Sequence, residues 1–121
     1  MLWTEDNTIK VRRGNRGTFT VQKIDDAGNI ENFEKDDKVI FSVKENFSNS
    51  DVLIRKIIQV EETCNEVVIE LTKKDTTIGN LIAKPKTYQY DICVNEDETI
   101  LGYDDAGAKE FILYPEGSND E

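Results

Sequence analysis

Apolar and polar residues alternate along most of this chain, with turn-forming residues between the alternating stretches. In residues 38–45 the apolar set is Val39, Phe41 and Val43, and residues 65–72 repeat the same period of two. This period is typical of β-strands that bury one face. By the same criterion we predict strands at residues 9–13, 18–24, 30–33, 38–45, 65–72, 87–94, 99–103 and 108–114.

Residues 52–60 do not have a clear period, because their apolar residues are separated by both two and four positions. One interpretation is a helix over residues 51–62 with Asp51 as its N-cap. The alternative is a strand, since most of the apolar residues here are the β-branched Val and Ile, which favour extended structure. We predict a strand.

The segment 75–94 combines a short helical element with a strand. Asp75 can cap a helical turn, after which Leu81 and Ile82 are expected to pack against the core. A glycine and a proline within the segment keep the helical piece short. Residues 87–94 then alternate, so the segment predicts a capped crossover that leads into a central strand.

Short strands with a turn signal every eight to twelve residues are typical of β-sandwiches. The Asp-Ala-Gly sequence within residues 104–107 predicts a hairpin that pairs residues 99–103 with residues 108–114. We therefore predict an all-β fold, an immunoglobulin-like antiparallel β-sandwich with a short helical crossover. A small barrel is the alternative.

The length of 121 residues fits one domain with its own core. We assign residues 7–115 to the sandwich, residues 1–6 to an N-terminal extension and residues 116–121 to a flexible tail, because the last segment has no apolar anchor.

Charge bears on the partners that the chain can have. Fifteen basic and 25 acidic residues give a net charge of −10 and a pI of about 4.5. Such a surface repels phosphate backbones and anionic lipids, so we expect neither nucleic acid nor a membrane as partner. The N-terminal residues lack the basic and apolar regions of a signal peptide, and we expect synthesis in the cytoplasm.

Catalytic chemistry has little support in the sequence. There is no histidine, and no phosphate-binding, nucleophile-elbow or zinc motif occurs. We expect no enzymatic activity and no cofactor. Cys64 and Cys93 lie far apart without a CxxC motif, so we predict two free thiols, buried or half-buried.

The sequence Arg12-Arg13-Gly14-Asn15-Arg16-Gly17 is the one basic cluster. It could be taken for a phosphate-binding loop, but no helix follows it, and a turn is the better interpretation. We expect Arg12, Arg13 and Arg16 to contact an acidic neighbour or the carboxylates of this chain.

Two pairs of carboxylates could supply oxygen ligands to calcium at an end of the sandwich. They are Asp25-Asp26, with Asn29 nearby, and Asp104-Asp105. Neither resembles a calcium loop with its distal glutamate, so solvated turns are the preferred interpretation and we predict no metal site.

Three aromatic residues are candidates for contacts. Tyr88 and Tyr90 lie two apart, and either they belong to the core and close a corner of the sandwich or they stack on a sugar ring. We favour the core and corner roles, since Ile92 and Val94 continue the same face. Phe47, alone in a polar loop, is the better candidate for an exposed contact.

Four segments resemble a phage family in their order along the chain. They are I-K-V-R-R-G-N-R-G-T-F-T-V, D-D-A-G-N, D-K-V-I-F-S-V-K and D-T-T…L…K-T-Y-Q-Y-D-I-C-V. Together they resemble the immunoglobulin-like N-terminal domain of upper baseplate proteins and related prophage structural proteins, over about residues 7–114. The resemblance implies a non-enzymatic tail or baseplate component of the virion, in contact with neighbouring virion proteins or with copies of itself.

Two departures limit what the resemblance implies. The family's domain is often followed by domains that reach the receptor-binding protein, whereas this sequence ends at Glu121, so receptor binding is not carried over. Pro85 or Lys86 stands where the family has a glycine, which affects turn geometry alone. Asp91 matches the family's Asp in Y-D-I, and the resemblance implies a structural role, bonding backbone or a nearby arginine.

Two functions of different classes follow. The favoured one is a virion structural module that acts through protein contacts. The alternative is a carbohydrate- or cell-surface-binding sandwich that uses Tyr88, Tyr90 or Phe47.

Overall fold

Strands dominate the computed structural model, which describes residues 2–46, 51–102 and 107–116. The prediction of an all-β sandwich is confirmed. No helix among the described residues is long and apolar enough to cross a membrane. The elements are β1 (Leu2–Glu5), β2 (Thr8–Arg12), β3 (Gly17–Val21), β4 (Lys23–Ile24), β5 (Ile30–Glu31), β6 (Lys38–Lys44), β7 (Val52–Gln59), β8 (Val67–Leu71), α1 (Lys73–Thr76), β9 (Lys86–Val94), β10 (Glu98–Leu101) and β11 (Lys109–Tyr114).

The larger sheet has the strand order β1-β2-β11-β9-β6-β7, and β10 also pairs with β9. Its pairs are antiparallel except β2 with β11, which run parallel. The sheet is therefore mixed, and the expectation of a wholly antiparallel sandwich was wrong at this pair. A short hairpin can join only antiparallel strands. Because β2 and β11 are distant in sequence, with a long connection between them, they can pair in parallel.

A two-stranded sheet of β3 and β8 lies against the inner face of the larger sheet, and β4 and β5 form a separate two-stranded sheet. Phe19 on β3 meets Phe41 on β6 with ring centroids 5.1 Å apart in an edge-to-face arrangement. Phe41 also packs against Tyr90 and Phe111 of the larger sheet. These contacts join the two sheets, since such aromatic pairs bury large areas with a preferred geometry.

The apolar set of each predicted strand forms this core. Val39, Phe41 and Val43 are buried on β6, and Ile69 and Leu71 are buried on β8. The period-two pattern therefore identified the inner face correctly in both sheets.

The segment 52–60, whose period was ambiguous, forms strand β7, as predicted. It pairs antiparallel with β6, and Ile54 is buried while Leu53 and Ile57 are exposed. The helical alternative was wrong, because pairing with β6 gives this β-branched segment a partner along its whole length.

The predicted hairpin between residues 99–103 and 108–114 was wrong. β10 pairs with Ile92–Val94 of β9, and β11 pairs with the earlier part of the same strand. Because β6 occupies the other edge of β9, β10 and β11 lie one after the other along a single edge.

The segment 75–94 differs in two details from its prediction. The N-cap of α1 is Thr72, and Asp75 is the third helical residue, whose carboxylate accepts a hydrogen bond from the Thr72 backbone in a reciprocal capping box. Ile82 packs against the core as predicted, whereas Leu81 is 75% exposed. Residues 2–5, assigned above to an extension, form β1.

Candidate functional site

A cleft of about 570 Å³ opens beside β3, between the two sheets. Strand β1, the turn between β1 and β2, and β10 form its other walls. Its apolar lining consists of Ile9, Phe19, Val21, Ile24, Tyr90, Ile92, Ile100 and Leu101, and its polar lining of Thr4, Asn7, Thr20, Gln22 and Glu66. An apolar floor with a few polar groups is typical of binding sites.

The cleft exists because β3 has only one strand partner among the described residues. Its partner is β8, while β1, which lies on the other side, pairs with β2 instead. The two strands approach closely at the start of β3, where a Cβ added to Gly17 would lie 2.3 Å from the Cβ of Leu2. The second half of β3 borders the cleft, and no other strand of the described residues pairs with this edge.

Tyr90 fixes the floor of the cleft. Its hydroxyl donates a hydrogen bond to the backbone carbonyl of Asn7, in the turn between β1 and β2. Burial raises the pKa of Tyr90 to about 12, because the anion would lose its hydration. This bond holds the β1–β2 turn against β9.

Tyr88 and Tyr90 are each 2% exposed. A sugar ring stacks on an exposed aromatic face, so neither ring offers one in this structure. Both tyrosines belong to the hydrophobic core. Phe47, the other aromatic candidate, lies outside the described residues.

The chemistry that the cleft can support is binding by contact and hydrogen bonding. Glu66 is its one carboxylate, and its hydroxyl and amide side chains come from Thr4, Asn7, Thr20 and Gln22. An unpaired strand edge adds backbone donors and acceptors. The arrangement suits an extended peptide segment that places apolar side chains on the floor.

Arg13 differs sharply from the other arginines of the basic cluster. It is buried, and its guanidinium donates hydrogen bonds to the carbonyls of Ile78 at 3.2 Å and Gly79 at 2.9 Å, with Glu116 at 3.5 Å. Arg13 therefore holds the loop after α1. Arg12 and Arg16 are exposed.

The cluster itself is a turn that is bonded to α1. Gly14 has φ +84°, and its N–H donates to Thr76 Oγ1, which in turn donates to the carbonyl of Asn15. Its backbone groups are thus engaged within the fold, which is the interpretation preferred above to a phosphate-binding loop.

Asp75 accepts hydrogen bonds from three donors around its carboxylate. They are Lys56 Nζ at 2.9 Å, the Thr72 N–H at 2.8 Å and the Thr72 hydroxyl at 3.0 Å. Burial raises the pKa of Asp75, but the hydrogen bonds from Thr72 and Lys56 outweigh it, and the net pKa lies below the ordinary 3.8. The interaction joins α1 to β7.

Asp91 lies on the outer face of the larger sheet, opposite Ser42. Burial raises its pKa, and the positive charges of Lys44 and Arg55 oppose that shift. The nearby Cys93 thiol is half-buried and also has a raised pKa, first from burial and then from the charge of Asp91. A raised pKa makes this thiol a weak nucleophile.

The first calcium candidate is a turn held by its own side chain. Asp25 Oδ1 accepts hydrogen bonds from the N–H groups of Ala27 and Asn29 at 2.9 and 2.8 Å. No cluster of three potential metal ligands occurs in residues 2–46, 51–102 and 107–116. The second candidate, Asp104 and Asp105, lies outside the described residues.

Comparison of the chain with family models, with curated proteins and with solved structures found no match.

The cleft was missed by reasoning from the sequence. Its lining comes from β1, β2, β3, β4, β9, β10 and the segments between strands, which are separated by up to about a hundred positions. One available signal was the pair of polar residues Thr20 and Gln22 at the end of the alternating segment 18–24, where the strand breaks after Val21.

Proposed function

We propose that this protein is a non-enzymatic structural module that works through protein–protein contacts, as a tail or baseplate component of a phage or prophage. The observation that carries the proposal is the cleft along the edge of β3 with which no other described strand pairs. An edge of this kind can hydrogen-bond an extended segment of another protein. The resemblance of four ordered segments to upper baseplate proteins supports the choice of virion proteins as partners.

The fit of an extended segment follows from the shape and lining of the cleft. Ile100 and Leu101 line the cleft with apolar side chains, and Thr4 and Glu66 line it with exposed polar ones. A strand added to β3 would place alternate side chains on this floor and leave the others in solvent. Specificity would then come from the floor and affinity from the backbone bonds.

A pair of matched variants tests this use of the cleft. Thr4→Arg places a long charged side chain at the cleft, and Thr18→Arg makes the same change at an exposed strand position outside it. We expect purified tail or baseplate proteins encoded beside this gene to retain wild-type protein and Thr18→Arg in a pull-down. Thr4→Arg should reduce retention by roughly tenfold, a loss of about 1.4 kcal/mol.

Two results would contradict the proposal. One is that no neighbouring tail protein retains the wild-type chain. The other is that a glycan array binds the wild-type chain and Thr4→Arg abolishes that binding, which would favour the carbohydrate-binding alternative.

A further inference from the structure

The two ends of the sandwich carry opposite charge. β6 runs from residue 38 to 44 and β9 runs back from residue 86 to 94, so the loops that join the strands gather at two ends. We call the acidic end the segments 25–37, 60–66 and 95–98, which hold twelve acidic residues and one basic residue. We call the basic end the segments 12–17, 44–46, 72–86 and 114–116 with residue 51, which hold eight basic and four acidic residues.

The two ends are far enough apart for each to present its own electrostatic charge. β9 has nine residues, which span about 30 Å at roughly 3.3 Å per residue. This distance exceeds the screening length of about 8 Å at physiological ionic strength. A molecule that approaches either end therefore meets mainly the charge of that end, although the whole chain is acidic.

Several cations of the basic end are available to a partner. Arg12, Arg16, Lys73, Lys74 and Lys84 are exposed, and within the described residues they form no ion pair with the chain's own carboxylates. By contrast, Arg13 and Lys86 at the same end are paired with Glu116 and Glu45.

Each end also exposes an apolar contact. At the basic end, Leu81 is 75% exposed although its neighbours Ile78 and Ile82 pack against the core. The loop is held by Arg13, so Leu81 is presented on an anchored segment. At the acidic end, Ile24 and Ile30 face each other across β4 and β5 and are 51% and 49% exposed.

We propose that the basic end of one copy, with Leu81, docks on the acidic end of a second copy, at Ile24 and Ile30. The two surfaces are complementary in charge. Each has apolar residues among charged ones, and protein interfaces commonly have an apolar core with a polar rim. The two surfaces differ, so the contact is head-to-tail and produces a ring or a linear stack. The inference rests on the proposed function in that it names one partner, the chain itself.

Sedimentation equilibrium with matched variants tests the docking. At about 0.15 M salt the general repulsion between acidic molecules is screened beyond about 8 Å, while charges in contact still attract. We expect wild-type protein to self-associate, and about 1 M salt to weaken the association. Leu81→Ser should lower the association constant roughly tenfold, whereas Val68→Ser, which removes another exposed apolar side chain on β8, should change it less than about twofold.

Charge reversal at the two ends separates head-to-tail docking from a general effect of net charge. Lys73→Glu with Lys74→Glu should weaken association by roughly tenfold or more, and the new glutamates suit the start of α1. Lys35→Glu with Lys38→Glu makes the same change of net charge at the acidic end and at the exposed first residue of β6 beside it, and should leave association unchanged or stronger. Equal effects of the two double variants would overturn the proposal.

Mixing two variants tests the head-to-tail geometry itself. Leu81→Ser retains an intact acidic end, and Ile30→Ser retains an intact basic end. We expect each to be impaired alone and the mixture to form a one-to-one complex through the one intact interface. If the mixture associates no better than either variant alone, the docking is wrong.

The outcomes also separate this inference from the proposed function. A wild-type chain that stays monomeric at all concentrations but is retained by tail proteins overturns the docking alone. A chain that self-associates head-to-tail but is retained by no tail protein supports the docking and contradicts the role in a virion.

Discussion

One turn of the acidic end, at Asp25, and one turn of the basic end, at Arg13, are held by bonds of different range. At the basic end, Arg13 bonds carbonyls 65 and 66 positions away, and Thr76 bonds Asn15 across 61 positions. At the acidic end, Asp25 bonds residues two and four positions away. The comparison teaches that the turn at Asp25 is specified by neighbouring residues, whereas the turn at Arg13 forms only after distant segments have met.

Loss of Arg13 should have the largest effect on this comparison. Arg13→Ala removes hydrogen bonds from a buried guanidinium and leaves the carbonyls of Ile78 and Gly79 without them, so we expect the free energy of unfolding to fall by about 2–4 kcal/mol. Arg12→Ala, at the adjacent exposed position, should change it by less than about 0.5 kcal/mol. Urea unfolding measures both, and equal effects would contradict the role assigned to Arg13.

Asp75 should give the next largest effect and a dependence on pH. Asp75→Asn weakens the capping box and the bond to Lys56, and should cost about 1–2 kcal/mol at neutral pH. The folded pKa of Asp75 lies below 3.8, so its carboxylate stabilises the fold above that pH and the stabilisation is lost as pH falls through the folded value.

Denaturant unfolding between pH 7 and pH 2 measures this dependence. The difference in stability between wild type and Asp75→Asn should be constant near neutrality and shrink below about pH 4. Exposed Asp26→Asn is the control and should track wild type across the range. A difference that grows as the pH falls would have the wrong sign for a depressed pKa.

Asn95 tests a long-range set of bonds at the acidic end. Its side chain accepts from the Lys38 N–H at 2.9 Å and donates to Asp37 at 3.0 Å, and its φ is +55°. Asn95→Ala loses both bonds and is strained at this φ, so we expect a cost of about 1–2 kcal/mol. Asn95→Gly keeps the backbone conformation and should cost roughly 0.5–1 kcal/mol less. Thermal unfolding that ranks glycine as the worse substitution would contradict this assignment.

Asp25 should give the smallest effect. Asp25→Ala removes the side-chain bonds to Ala27 and Asn29, both exposed, and should cost about 0.5–1 kcal/mol. Asp26→Ala, one position along, serves as the control with a cost near zero. If Asp25→Ala lowered the free energy of unfolding as much as Arg13→Ala does, the distinction between the locally bonded turn at Asp25 and the long-range bonds of Arg13 would be wrong.

The local part of the fold could be predicted from sequence. The period of two identified the inner residues of β6 and β8, and β-branched composition identified β7 as a strand. The turn at residues 25–29 was predicted from its Asp, Gly and Asn residues, and Asp25 makes the expected backbone bonds. These signals succeed because alternation and turn chemistry act between residues a few positions apart.

The long-range part could not be predicted in the same way. A hairpin between β10 and β11 was the natural local expectation, yet both strands pair with β9. Leu81 was expected in the core, but only one of two neighbouring apolar residues can face inward on the loop held by Arg13. The N-cap of α1 is Thr72, three positions before the predicted Asp75, because both residues take part in one capping box and the sequence does not show which of them begins the helix.

The sequence by itself determined that the chain is all-β, which residues alternate into the core and that its net charge is −10. Only the tertiary structure decided which strands pair, that the second half of β3 borders a cleft, and that twelve of the acidic residues lie at one end. The physical reason is that strand pairing and charge separation depend on distances between residues far apart in the chain. Local preferences set each strand, and packing of the two sheets selects its neighbours.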